Sequence, residues 1–173
     1  GPDALSGATH WWEHALFPKL RRTYDGDFFR RVDLLGLTFN ACTYKEFVMV
    51  QVSGAAEHFA EAAGMIALVL EPMGITAADL ELEKRRIKAE IREKDEKSTL
   101  DYCTQRVIWQ GTSLQNTILG ANKVLDKIGV KALAAIQDVI LSPGNVFFYV
   151  TGRFDPAQVG LLADAVGAYA LND

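Results

Sequence analysis

The chain has 173 residues, of which 49% are apolar and 23% are charged. This composition is typical of one compact domain with a hydrophobic core, and it excludes a disordered tail. The net charge of -4 provides no cluster of positive charge for phosphates, so we expect no nucleic-acid partner.

The first half of the chain predicts three helices and a pair of strands. The first helix begins at a cap formed by Ser6 or Thr9, and Pro18 ends or kinks it. A short helix, two strands joined by a polar turn and a third helix follow over residues 27–35, 37–43, 46–52 and 55–70. The two strands are predicted to pair in antiparallel fashion.

The second half is mostly helical in pattern. Thr76 and Asp79 have the spacing of a capping box and open a long charged helix that runs to about residue 97. Next come a helix over residues 98–109, a loop over 111–122 and a helix over 124–141 that is broken near Gly129. A buried strand over 145–151 and a last helix over 155–169, capped by Asp155, complete the chain. These blocks indicate an α+β fold in which helices cover a mostly antiparallel sheet.

No apolar run is long enough to span a membrane, so we expect neither a membrane segment nor a membrane partner. Cys42 and Cys103 are too few for a disulfide framework, so free thiols are the default. We therefore expect a cytoplasmic or organelle location, in a reducing matrix or stroma. The chain begins with Gly1 and lacks an initiator methionine, which is typical of a processed end or a fragment.

The first helix carries a compact group of metal-binding residue types, His10-Trp11-Trp12-Glu13-His14. At about 100° per residue, His10 and His14 lie about 40° apart on one helix face, with Glu13 about 60° to the other side of His10. In the inverted H-x-x-E-H arrangement, two imidazoles hold zinc and the carboxylate serves as general base. The alternative is an ordinary surface helix with polar residues.

Two glutamates of the long charged helix share its apolar stripe. Glu83 and Glu90 are two helical turns apart, in line with Leu80, Ile87 and Ile91. A buried carboxylate is costly without a partner, and a metal held by two histidines would supply one. Either glutamate could be the third ligand, and the residues alone do not choose between them.

The motif and its surroundings resemble the M16 metallopeptidases, the group of pitrilysin, insulinase and mitochondrial processing peptidase. Glu90 matches the position of the family's third metal ligand, and Glu83 matches its accompanying acidic residue. Further matching segments are residues 7–9, 15–17, 39–43, 118–120, 143–145 and 150–155. Trp11 and Trp12 replace a smaller pair in the family pattern, which bears on the shape of the cleft beside the metal.

The resemblance implies a zinc peptidase site. His10, His14 and Glu90 would bind Zn²⁺, and Glu13 would take the proton of the attacking water. Glu83 would support a ligand from outside the metal shell. The implied activity is endopeptidase cleavage of extended or unfolded peptides.

The resemblance also implies where the peptide binds and what else is needed. The substrate would add as an extra strand along residues 37–42 and contact Phe39, Asn40, Ala41 and Cys42, with Asn40 and Ala41 nearest the cleaved bond. The family's substrate-binding Arg and Tyr come from a second homologous domain or subunit. We therefore expect residues 1–173 to form a single catalytic domain without the family's usual N-terminal strands, active as a homo- or heterodimer with such a partner.

Two other functions are kept open. S-ribosylhomocysteine lyases also have H-x-x-E-H, but use a cysteine as third ligand, for which Cys103 is the candidate. M16-like assemblies can also contain a non-catalytic subunit that guides substrate. An intact motif favours the catalytic interpretation over that second alternative.

Overall fold

A computed structural model describes residues 6–94, 96–142 and 144–167 of the chain. The regular elements of these residues are helices α1 to α8 and strands β1 and β2. In chain order they are α1 Ala8–Arg21, α2 Phe28–Leu34, β1 Thr38–Thr43, β2 Val48–Ser53, α3 Phe59–Leu70, α4 Ala77–Lys94, α5 Leu100–Ile108, α6 Asn122–Leu125, α7 Val130–Ile140 and α8 Pro156–Gly167.

Helix dominates this fold, and the sheet is small. β1 and β2 pair in antiparallel register, with Phe39 opposite Val52 and Thr43 opposite Val48. They form the one sheet of the described residues, so the expectation of a mostly antiparallel sheet is wrong in its proportions. The fold nevertheless remains a mixture of helices and antiparallel strands.

The predicted buried strand over residues 145–151 is wrong. Within this segment the chain forms no strand, and the side chains of Phe147 and Tyr149 are 85% and 81% exposed. The prediction rested on apolar composition, but a strand also needs a neighbour to pair its backbone groups. The described part of the chain places no strand beside it.

Helix α1 lies at the centre of the molecule and contacts α2, α3, α4, α7 and both strands. Its core side chains are almost fully buried, namely Trp11, Trp12, Leu16 and Leu20. The expected end of the helix at Pro18 is not seen, because the helix continues to Arg21. Proline removes only one helical hydrogen bond, and burial on several sides holds the helix together.

The start of α1 also differs from expectation. Neither Ser6 nor Thr9 caps it: the residue before the helix is Gly7, in the left-handed conformation with φ 82° and no side-chain cap. Here the chain crosses the loop at Gly120, whose φ is 76°. A Cβ atom on Gly120 would lie 2.4 Å from the carbonyl oxygen of Ser6. Only glycine fits this crossing, which fastens the start of α1 to the loop.

The other helix boundaries agree closely with the sequence. The predicted capping box of α4 is confirmed, since Asp79 N donates to Thr76 Oγ1 at 3.1 Å and Thr76 N donates to Asp79 Oδ2 at 3.0 Å. The break near Gly129 separates α6 from α7, and the Asp155 carboxylate caps α8. The predicted end of the last helix at residue 169 lies outside the described residues. No helix among those described has the length and apolar character to cross a membrane.

Lys19 is a buried cation that joins α1 to the end of α3. Its Nζ atom donates hydrogen bonds to the carbonyl oxygens of Val69 at 3.2 Å and Glu71 at 2.5 Å. Burial lowers the pKa of Lys19 to about 8, although the nearby charge of Glu71 acts in the opposite direction. Folding therefore favours the neutral amine at alkaline pH.

We predict that Gly120→Ala destabilises the protein by about 2–4 kcal/mol, because the new methyl group meets backbone at a positive φ. The control is Gly160→Ala in α8, where a Cβ atom would meet nothing within 4 Å. That change should be neutral or stabilise by up to about 1 kcal/mol. Urea unfolding followed by circular dichroism measures both. Equal effects of the two substitutions would contradict the tight crossing.

We predict that Lys19 makes stability rise with pH in the alkaline range. Its folded pKa of about 8 lies below the ordinary value of 10.5, so the unfolded chain binds more protons between these limits. The free energy of unfolding should then increase by up to about 3 kcal/mol across this window. Lys19→Met removes the titrating group and serves as the control. The prediction would be contradicted if the difference in free energy of unfolding between the wild type and Lys19→Met stayed the same from pH 8 to pH 10.5.

Candidate metal centre

Helices α1 and α4 bring three potential metal ligands together. The Nε2 atoms of His10 and His14 lie 3.6 Å and 3.4 Å from Oε2 of Glu90. The three donor atoms all lie within 4.8 Å of one another, and they are the one such group among the described residues. Helical spacing accounts for the two histidines of this group, because residues four positions apart lie on one helix face. The centroids of their imidazole rings are 4.6 Å apart.

The donor set fits a zinc ion in type, and the two separations from Glu90 fit it in distance. Two imidazole nitrogens and one carboxylate oxygen form a common ligand set of catalytic zinc, which binds each at about 2.0–2.2 Å and leaves a fourth position open. Donors around a tetrahedral ion of that size are roughly 3.3–3.4 Å apart. The observed separations of 3.4 Å and 3.6 Å from Glu90 are close to this value.

His10 is held in the neutral form that binds metal. Burial, reinforced by the neighbouring His14, lowers the pKa of His10 to about 4, although Glu90 acts in the opposite direction. Metal ligands must be deprotonated, so a neutral imidazole at pH 7 is ready to bind. The Nδ1 atom of His10 is buried and has no hydrogen-bond partner among the described residues.

Glu83 supports His14 from the side away from Glu90. The Glu83 carboxylate is only 2% exposed, and its Oε2 lies 3.4 Å from Nδ1 of His14. The second oxygen accepts a hydrogen bond from Arg86 at 2.6 Å. A carboxylate in this position orients a ligating imidazole and selects the tautomer with a free Nε2.

Glu90 is kept ionised by its surroundings. Burial acts to raise its pKa, but the hydrogen bond from Lys94 and the nearby imidazoles of His10 and His14 outweigh this and lower the pKa. The Lys94 Nζ atom lies 2.6 Å from Glu90 Oε1, which leaves Oε2 directed at the histidines. Of the two glutamates predicted to share the apolar stripe of α4, Glu90 therefore lies at the potential metal site. Glu83 contacts His14 on the side away from Glu90.

Glu13 is buried between α1 and the sheet, with 9% of the residue exposed. The Thr43 hydroxyl at the end of β1 donates a hydrogen bond to its Oε2 atom. No Lys or Arg among the described residues pairs with this carboxylate. The expected general base is thus held by a neutral donor.

The four predicted substrate contacts on β1 divide between its two faces. Phe39 packs at 6.5 Å and 5.3 Å, between ring centroids, against two phenylalanines of the neighbouring helices, Phe17 and Phe28. Phe39 is half-buried and Ala41 is buried, whereas Asn40 is exposed and Cys42 is half-buried. Any contact of Ala41 with a peptide would therefore use the main chain.

Other predicted candidates lie apart from the metal centre. Cys103 is exposed on α5 and does not belong to the group of three donors. Trp11 and Trp12 are core residues, and the indole of Trp12 donates to Gln137 on α7 at 3.3 Å. Both tryptophans therefore pack the interior.

Three residues of this centre had been given no role in the sequence prediction: Thr43, Arg86 and Lys94. Arg86 and Lys94 had a usable signal, since they follow Glu83 and Glu90 by three and four residues on one helix. Thr43 lies in the matching segment 39–43, but its contact with Glu13 had no local signal, because it depends on the packing of β1 against α1.

Comparison with known families identifies the family of this chain. The family described as Insulinase (Peptidase family M16) matches residues 1–122, which include both helices of the centre. The chain belongs to the insulinase family of peptidases. The resemblance in its sequence is thereby confirmed, and members of this M16 family are typically zinc-dependent metallopeptidases. None of the curated proteins compared with the chain matches it.

Proposed function

We propose that this member of the M16 family is the catalytic domain of a zinc endopeptidase. The observation that carries the proposal is the convergence of His10, His14 and Glu90, next to the buried carboxylate of Glu13. Membership of a peptidase family supports the reaction class. The donor set and its spacing support zinc.

The residues of the chain divide the chemical work between them. Zinc, when bound, supplies a Lewis acid that acidifies water and polarises the scissile carbonyl. The Oε2 atom of Glu13 accepts from Thr43, so Oε1 is the atom left to accept the proton of the attacking water. Glu13 then delivers this proton to the leaving amine. Glu83 holds the ring of His14 in its ligating orientation.

The substrate in this proposal is an extended peptide that pairs with β1. In the described residues β1 has only β2 as a strand partner, so one edge of β1 has no strand beside it. Backbone pairing along such an edge favours unfolded peptides, because the added segment must be extended and its backbone groups must be free to pair. The exposed side chain of Asn40 is available to contact the peptide.

The proposed active unit contains a second homologous domain or subunit. This part of the proposal comes from the family resemblance, in which an Arg and a Tyr of the other half bind substrate and stabilise the oxyanion. The chain would then supply metal, base and substrate strand, and its partner would supply the remaining positive and hydroxyl groups. Full cleavage would require both halves.

We predict that Glu13→Gln lowers kcat by roughly 100-fold to 10,000-fold, the range for loss of a general base. Cleavage of a quenched-fluorescent library of unfolded peptides measures this, with the chain alone and mixed with a homologous partner domain. Glu57→Gln, at an exposed position, is the matched control. The Glu13→Gln variant should still bind zinc. Cleavage that survives Glu13→Gln would disprove the mechanism, and zinc binding without any cleavage, even with the partner, would favour a substrate-guiding subunit.

We predict that Glu90→Ala weakens zinc affinity by more than about 100-fold, because a direct ligand is lost, and that Glu83→Gln weakens it by about 10–100-fold. Glu81→Gln, on the exposed side of the same helix, and Cys103→Ala should leave the affinity unchanged. Competition with a chromogenic zinc chelator measures the dissociation constants. Loss of zinc in Cys103→Ala but not in Glu90→Ala would instead support a lyase-like site.

A further inference from the structure

The hydrogen bond between Thr43 and Glu13 joins two parts of the proposed site that are far apart in sequence. Thr43 is the last residue of β1, and its hydroxyl donates to Oε2 of Glu13 on α1. Side chains alternate along a strand, so Thr43 points to the same face as Phe39 and Ala41, which pack toward the core. The register of β1 against β2, with Thr43 opposite Val48, determines this direction.

The partner of Glu13 differs in kind from the partners of the other two glutamates. Glu83 pairs with Arg86 and Glu90 pairs with Lys94, both through cationic donors. A cation next to a carboxylate stabilises its charge and makes it a weaker proton acceptor. A hydroxyl orients the carboxylate without that opposing charge, and a single donor leaves the second oxygen accessible.

We propose that Thr43 is a positioning residue whose hydroxyl orients the Glu13 carboxylate relative to the strand on which the peptide binds. This inference rests on the proposed peptidase function of the same site. β1 would then position both reacting groups. It would hold the peptide backbone through main-chain pairing and the Glu13 carboxylate through the Thr43 side chain. Errors of orientation at a reacting centre lower the rate of the chemical step more than they lower binding.

The test compares Thr43→Val with Thr43→Ser in the zinc-loaded chain, with the homologous partner present if the wild type needs it. Valine keeps the β-branched shape and removes the hydroxyl, whereas serine keeps the hydroxyl. We expect Thr43→Val to lower kcat by about 10–100-fold, the effect of losing a hydrogen bond to a charged group. KM and zinc affinity should stay within about twofold of the wild type, a margin well below a hydrogen bond's contribution. Thr43→Ser should restore most of kcat.

A matched control is Thr104→Val on α5, which removes a hydrogen-bonding threonine hydroxyl outside the proposed site. It should leave kcat unchanged. If Thr104→Val and Thr43→Val lower kcat equally, the effect is a general loss of stability and the positioning role is wrong. The same conclusion follows if Thr43→Val changes KM and not kcat.

Crystal structures of the zinc-loaded variants provide a readout that does not depend on cleavage. The Glu13 carboxylate should keep its rotamer in wild type and Thr43→Ser, and should adopt another in Thr43→Val. An unchanged rotamer in Thr43→Val would overturn the inference, whether or not peptides are cut. Failure of the proposed peptidase function would be seen separately, because the wild-type protein would then show no cleavage that depends on Glu13.

Discussion

The burial of α1 is the constraint on which the rest of the structure depends. A helix surrounded by other elements must place its polar side chains inside the molecule, where each unpaired donor or acceptor costs free energy. Three of its polar residues, His10, Glu13 and Lys19, are buried. Glu13 and Lys19 find hydrogen-bond partners on β1 and at the end of α3, and His10 lies beside Glu90 of α4. The arrangement around α1 therefore pairs the charged ends of Glu13 and Lys19, and it leaves the Nδ1 atom of His10 without a hydrogen-bond partner among the described residues.

The three glutamates of this centre have different neighbours. Glu90 is ionised by a lysine and faces the histidines, whereas Glu83 is almost fully buried, pairs with an arginine and supports His14 from behind. Glu13 meets only a threonine hydroxyl among the described residues. In the proposed mechanism, Glu90 as ligand and Glu83 as supporting residue each have a cationic neighbour, whereas Glu13 as proton acceptor has a neutral one.

Local signals predicted the helical half of the fold well. The capping box at Thr76, the break at Gly129 and the cap at Asp155 depend on contacts within a few residues, so the sequence specifies them directly. The sheet was overestimated, because apolar composition at residues 145–151 does not provide a neighbouring strand. The start of α1 at Gly7 was missed for a similar reason, since its partner is the distant loop at Gly120.

By itself the sequence determined that His10, Glu13 and His14 share one face of a helix, because helical periodicity is a local property of the backbone. Resemblance to a family added Glu90, and the structure brings its carboxylate to the two imidazoles. Only the tertiary structure decided which groups surround the buried glutamates, and above all that Thr43 reaches Glu13. Such contacts depend on how strands and helices pack across long distances in sequence, and no local pattern encodes that packing.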